Sequence, residues 1–166
     1  SNKLGYNPSF FSYPFGEYNL EQKNYISNNF EFAFGQHSGV IDLNKDRYEL
    51  PRFPINEKYG EIKRFKEVIS YLPLQYRIVK PENKFMSDGN NPPKMTIEFF
   101  KDQKNLENIN CFSNEGAKWR KTNIVLKNNI LKVNFAEKFI ERRGRINCSL
   151  KDSKGWRFTG FQFVQN

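Results

Sequence analysis

The residue pattern of this chain changes once, at Pro73, and that change limits its fold more than any other feature. Upstream, strand-like and helix-like runs alternate. Phe10 to Tyr13 reads as a buried strand ending in a tight turn. Asn19 to Asn29 follows as a helix, with Asn19 placed to cap it and Gln22 three residues on. Phe32 to Gly35 is a second strand, Gln36 to Glu49 a loop of Gly, Asn and Asp without periodicity, and Leu50 to Ile55 a third strand. The amphipathic run Gly60 to Ser70 is a second helix, and Pro73 ends it because a proline disfavours helical geometry in the residue before it.

Downstream the runs are short and separated by turns. Candidate strands are Gln75–Val79, Lys94–Phe100, Asn108–Phe112, Thr122–Leu126, Ile130–Asn134, Gly144–Leu150 and Trp156–Val164. Met95, Ile97 and Phe99 share one face, as do Phe161 and Phe163. Lys127-Asn128-Asn129 and Asp152-Ser153-Lys154-Gly155 read as hairpin turns, and Arg142-Arg143-Gly144-Arg145 as a basic one. Seven short strands with regular turn signals predict an antiparallel β-sandwich. The expected class is α+β: an incomplete (β/α) barrel segment over residues 1–72, then a β-sandwich over 73–166. Ser1-Asn2 reads as a tag remnant.

Two motifs stand out in the first part. One is the aromatic turn Phe11-Ser12-Tyr13-Pro14-Phe15-Gly16-Glu17-Tyr18, in which Pro14 fixes φ and Gly16 permits a sharp reversal. Strand, Pro-Gly turn and helix is how an α/β barrel builds a site at its strand ends. The other is Leu50-Pro51-Arg52-Phe53-Pro54. Together with Phe32-Ala33-Phe34-Gly35, Gly39 and Arg64-Phe65, in that order, they resemble the second half of a polysaccharide deacetylase domain, the NodB-type carbohydrate esterase. The resemblance covers roughly residues 8–72. The tail from Gly144 to Phe163 resembles an extra C-terminal module of some bacterial members.

The resemblance implies the C-terminal fragment of a hydrolase that removes N-acetyl groups from an amino-sugar polymer, inactive alone. The parent would act by attack of metal-bound water, with a carboxylate base and an imidazole acid. It would hold a zinc-like divalent metal through one Asp and two His in upstream motifs. This chain has one histidine, His37, so no such ligand set is expected within it. Phe15 is assigned a backbone contact to the oxyanion of the attacked acetyl group, although Ser12 stands where the motif usually starts with Arg. Arg52 is assigned the missing arginine's role of orienting the catalytic Asp, or else simply reaches solvent. Tyr13, Pro14 and Trp119 are the substrate-binding candidates, with Trp119 exposed and Trp156 in the core. Expected partners are the polysaccharide and either the upstream half of the barrel or a second copy, covering Phe10, Phe11, Phe32, Phe34, Phe53 and Ile55. The alternative is a non-catalytic carbohydrate-binding or structural β-sandwich module.

Charge and cysteines bear on partners and compartment. The formal charge is +9, but basic residues are spread along the chain with acids between them. With no helix-turn-helix or RNP pattern, a nucleic-acid role is not expected. No apolar stretch approaches the ~20 residues of a membrane span. Cys111 and Cys148 both follow Ile-Asn in strand-like runs, and a disulfide, two buried thiols or reactive thiols all fit. Glycan deacetylases work mostly outside the cytoplasm, so a periplasmic or extracellular parent is the expectation, and there a disulfide persists. His37, in the loop, reads as incidental.

Overall fold

A computed structural model of the chain describes residues 5–165, so Ser1-Asn2 lies outside the described residues. The first part contains a βαβ unit: β1 (Phe10–Ser12), α1 (Leu20–Ser27) and β2 (Phe32–Phe34). The strands are parallel, with Phe11 opposite Ala33 and Ser12 opposite Phe34, and Leu50 bridges to Phe34 in parallel. Helix α1 starts where its cap dictates. The Asn19 side chain accepts from the Gln22 amide at 2.8 Å, and the Gln22 side chain accepts from the Asn19 amide at 2.9 Å.

The two faces of this small sheet differ. Phe11 and Ala33 pack with Ile26 of α1, Phe30, and the stacked rings of Tyr13 and Tyr18. Phe10, Phe32 and Phe34 gather on the other side, and Phe10 remains 64% exposed. Helix α2 (Ile62–Ile69) buries only Val68 and leaves Ile62, Phe65 and Ile69 open.

The second part is two sheets over one core. Strands β4 (Ile78–Lys80), β6 (Met95–Glu98), β10 (Ile130–Asn134) and β9 (Asn123–Lys127) form one, in that order and antiparallel. The other runs β3 (Leu72–Pro73), β12 (Gly155–Gln165), β11 (Arg143–Asp152), β7 (Asn110–Ser113), β8 (Arg120–Lys121), with β5 (Phe85–Met86) also on β12. Met95, Ile97, Leu131 and Val133 from the first meet Cys111, Ile146, Cys148, Leu150, Phe161 and Phe163 from the second. Period-2 alternation in the sequence produces this, because successive residues of a strand face opposite sides. Asn128 and Asn129 both take positive φ in the β9–β10 turn, as a two-residue hairpin requires. Cys111 and Cys148 sit directly opposite on β7 and β11 and are joined by a disulfide.

The class is therefore α+β with mostly antiparallel sheets, and the described residues contain no closed barrel. Position 73 falls inside β3, which pairs with β12, so the change of sequence pattern lies within a strand of the larger sheet. Three expectations need correction. Leu50 to Ile55 is not a strand: Leu50 forms an isolated bridge to Phe34, and the residues after it, with Pro51 and Pro54 unable to donate to a ladder, take no strand pairing. Trp156 is not core: it lies at the start of β12 opposite Lys151 and is 48% exposed, while Phe161 and Phe163 fill the core further along. Arg142 to Arg145 is not a turn: Arg143 opens β11. Its Gly144 allows close approach instead, since a Cβ there would come within 2.6 Å of the Phe139 ring.

The first part docks on β12, and β12 is buried on both faces between Thr159 and Val164. Gln162 donates to the carbonyls of Phe15 and Gly16 at 3.2 and 3.1 Å. Lys45 donates to Thr159 Oγ1 at 2.9 Å, and Phe158 packs between Phe53 and Tyr71. Gly160 is the point of closest approach: an added Cβ would lie 2.4 Å from the Ser38 carbonyl oxygen and 2.5 Å from Asn147 Oδ1. We expect Gly160→Ala to destabilise the chain by about 2 kcal/mol or more in urea titration. Gly89→Ala, where nothing lies within 4 Å, should stay within about 0.5 kcal/mol. Equal effects at both sites would contradict the docking role.

Candidate functional site

A cavity of about 420 Å³ opens beside this docking contact. Three arginines from three separate elements line it. Arg52 follows Pro51 after the Leu50 bridge. Its amide donates to the His37 carbonyl at 3.0 Å and its Nε to the Gly35 carbonyl at 3.2 Å, which fixes the stem and leaves the rest of the guanidinium free. Arg64 rises from α2, with its guanidinium 5.1 Å from the centre of the Tyr59 ring and its Nε buried without a hydrogen-bond partner among the described residues. Arg145 stands on β11, Nε 3.4 Å from Gln162 Oε1; burial first, then the charge of Arg143, lower its pKa. Gln36, His37, Ser38 and Asn147 add polar groups, and Trp119, 53% exposed, supplies an aromatic wall.

The charge of this cavity is unbalanced. No carboxylate lines it, and none of its three arginines forms an ion pair among the described residues. Arg77, Arg120, Arg142, Arg143 and Arg157 by contrast each sit within ion-pair distance of an Asp or Glu. Converging guanidinium groups without an acid present a fork of donors suited to an oxyanion.

A second cavity, about 480 Å³, is charged but internally compensated. Lys23 pairs with Asp46 and with Glu49, and Tyr18 also donates to Glu49. Burial acts to raise the Glu49 carboxyl, but Lys84, Lys23 and His37 outweigh it and hold it below the ordinary carboxylate value. Burial pulls Lys45 down to about 8 and lowers Lys84 as well. Lys45 caps the Tyr76 ring at 3.9 Å, so this network is built to hold the loop on β12.

The structure brings Arg52 and Trp119 to the same cavity. Tyr13 and Pro14 line a different one, beside Asn19 and Tyr25. Phe15 lines none of these three cavities: it takes φ 56°, is 65% exposed with its ring near the Arg143 guanidinium, and its carbonyl is held by Gln162. Arg64, Arg145 and Tyr59 were not legible as site residues. The signal for Arg145 was its alternation with Ile146 and Cys148 along β11, which sets it on the face away from the core.

The residues of this chain do not fit the Asp-His-His ligand set that the deacetylase resemblance implies. There is one histidine, and no group of three His, Cys, Asp or Glu side chains among the described residues is placed to hold a metal ion. No helix among them is long and apolar enough to cross a membrane. Comparison with protein-family models, curated proteins and solved structures finds no significant match.

His37 gives the site a pH signature. Burial pulls its imidazole down to about 4, against the opposing pull of Glu49. Between the unfolded value near 6.5 and about 4, the unfolded chain binds the proton and the folded chain does not. Stability is therefore retained above about pH 6.5 and falls as pH drops through that window. We expect His37→Asn to remove roughly 1–2 kcal/mol of the loss between pH 7 and pH 4. Urea midpoints at the two pH values check this; an unchanged pH slope in the variant would contradict it.

Proposed function

We propose that this chain is the C-terminal part of a polysaccharide deacetylase-like hydrolase that removes N-acetyl groups from an amino-sugar polymer, and that its arginine cavity forms part of the glycan-binding wall. The observation that carries the reading is the parallel β1–β2–Leu50 ladder, with α1 on one face and the Phe10, Phe32, Phe34 face partly open. In a (β/α) barrel one face of each strand meets the outer helices and the other meets the interior. The open aromatic face and the apolar side of α2 are what such a segment leaves uncovered when the rest of the barrel is absent. Arg52, two residues beyond the Leu50 bridge, is then at the end of this ladder, and strand ends are where barrel enzymes build their sites.

On this reading the metal, the base and the acid come from the upstream half, which is also the partner that covers the open face. What these residues contribute is binding: Trp119 offers a ring for stacking on a sugar, and Arg52 with its neighbours offers donors. The disulfide fits an oxidising compartment outside the cytoplasm. A non-catalytic binding module is the second reading, favoured by Trp119 standing exposed at a polar cavity.

The two readings separate experimentally. An uncovered barrel face should bind an apolar-surface dye and drive self-association at micromolar concentration. A clean monomer without dye binding would refute the barrel segment and leave the module. Neither reading expects acetate release from a chitin oligomer by this chain with added zinc, cobalt or manganese. Both expect chitotetraose to quench tryptophan fluorescence. Trp119→Ala should weaken that binding about tenfold, about 1.4 kcal/mol, while Trp156→Ala should leave it unchanged. Quenching lost equally in the two variants would sink the proposed wall.

A further inference from the structure

We propose that the cavity between Arg52, Arg64 and Arg145 receives the carboxylate of an acidic sugar, so that the glycan this chain prefers is an anionic one. This rests on the glycan reading above and names the class of sugar. Three independent observations lead to it.

The first is selection among arginines. Five of the six arginines outside the cavity are matched to carboxylates, whereas these three converge from the Leu50–Ile55 segment, α2 and β11 on a space lined by no acid among the described residues. Like charges brought together repel, and folding tolerates the arrangement better when an anion completes it. The second is Arg64: its Nε is buried and finds no acceptor among the described residues, so this guanidinium is not satisfied within them. The third is pre-organisation. Arg52 is held by the Gly35 carbonyl, Arg145 by Gln162, and Arg64 by the Tyr59 ring, so the guanidinium groups are oriented before any ligand arrives.

The aromatic wall decides what carries the anion. Trp119 and Tyr59 line the same space, and an aromatic face beside a carboxylate-binding fork matches a sugar ring with an acidic substituent. A nucleic-acid backbone would call for a track of cations along a surface. Among the other arginines, Arg120, Arg142, Arg143 and Arg157 are engaged by Glu137, Glu17 and Asp152, so they are not free to extend the fork into such a track.

The test is calorimetric titration of the intact chain at low salt with four probes: chitotetraose, a hyaluronan tetrasaccharide, glucuronate alone, and a ten-residue oligothymidylate. Hyaluronan alternates an N-acetylated amino sugar with a carboxylate sugar, so it carries the acid that chitotetraose lacks. We expect it to bind at least tenfold more tightly than chitotetraose. Arg52→Gln, Arg64→Gln and Arg145→Gln should each remove most of that preference, and Arg47→Gln should leave it intact. Arg52 is exposed, so its variant remains informative if either of the others fails to melt cooperatively. Chitotetraose binding with no advantage for hyaluronan would overturn the inference and leave the amino-sugar reading standing. Glucuronate binding that depends on the arginines, with neither tetrasaccharide bound, would uphold the carboxylate site and overturn the polymer reading. Oligothymidylate binding as tight as hyaluronan and lost in the same variants would overturn the inference in favour of nucleic acid.

Discussion

Strand β12 has to be buried on both faces, and the rest of the molecule follows from how that is achieved. Phe161 and Phe163 fill the space between the two sheets, while Phe158, Gly160 and Gln162 receive the first part of the chain. A polar side chain on a buried face is tolerable only when its hydrogen bonds are made. Gln162 meets that condition from both ends: its amide nitrogen holds the Phe15 and Gly16 carbonyls, and its oxygen faces Arg145 Nε. One side chain thus ties the aromatic turn to an arginine of the cavity. Gly160 supplies the clearance that lets the Ser38 backbone lie against the strand. The loop placed there carries His37 and leads to Arg52, so docking on β12 is also what assembles the cavity.

Electrostatics then divides the surface beside β12 into two kinds of site. On one side cations and anions neutralise each other, with Lys23 held between Asp46 and Glu49. Such a network stabilises by fixing geometry, because the desolvation of each charge offsets much of the Coulombic gain. On the other side three guanidinium groups remain without acids. The net charge of +9 does not predict that division. It arises from which carboxylates the fold brings within reach of which arginines.

Much of the fold was legible in the sequence where its causes are local. The Asn19–Gln22 cap, the positive-φ Asn128-Asn129 turn and the alternation of Met95, Ile97 and Phe99 are set by neighbours in sequence. Cys111 and Cys148 were legible only as residues of two strand-like runs, and their bonding depended on the register that sets them opposite each other. The failures have a different origin. Trp156 reads as core because tryptophan is apolar and its strand is rich in phenylalanine, but its register with Lys151 puts it beyond the covered part of the sheet. Gly144 within a basic run looks like a turn, and only the Phe139 ring packed against it explains the glycine. The cavity was half visible. Arg52 and Trp119 stood out in unusual contexts, whereas Arg64 and Arg145 acquire meaning only when α2 and β11 meet across the docked loop.

The central claim is that the first part of the chain is held by the second face of β12 and shares its stability. Native-state hydrogen exchange, followed by peptide against increasing denaturant, tests it most directly. Peptides covering residues 30–52 and 155–165 are expected to lose protection in one step, with the same opening free energy and the same denaturant dependence. Exchange of residues 30–52 at a much lower opening free energy, with 155–165 still fully protected, would contradict it.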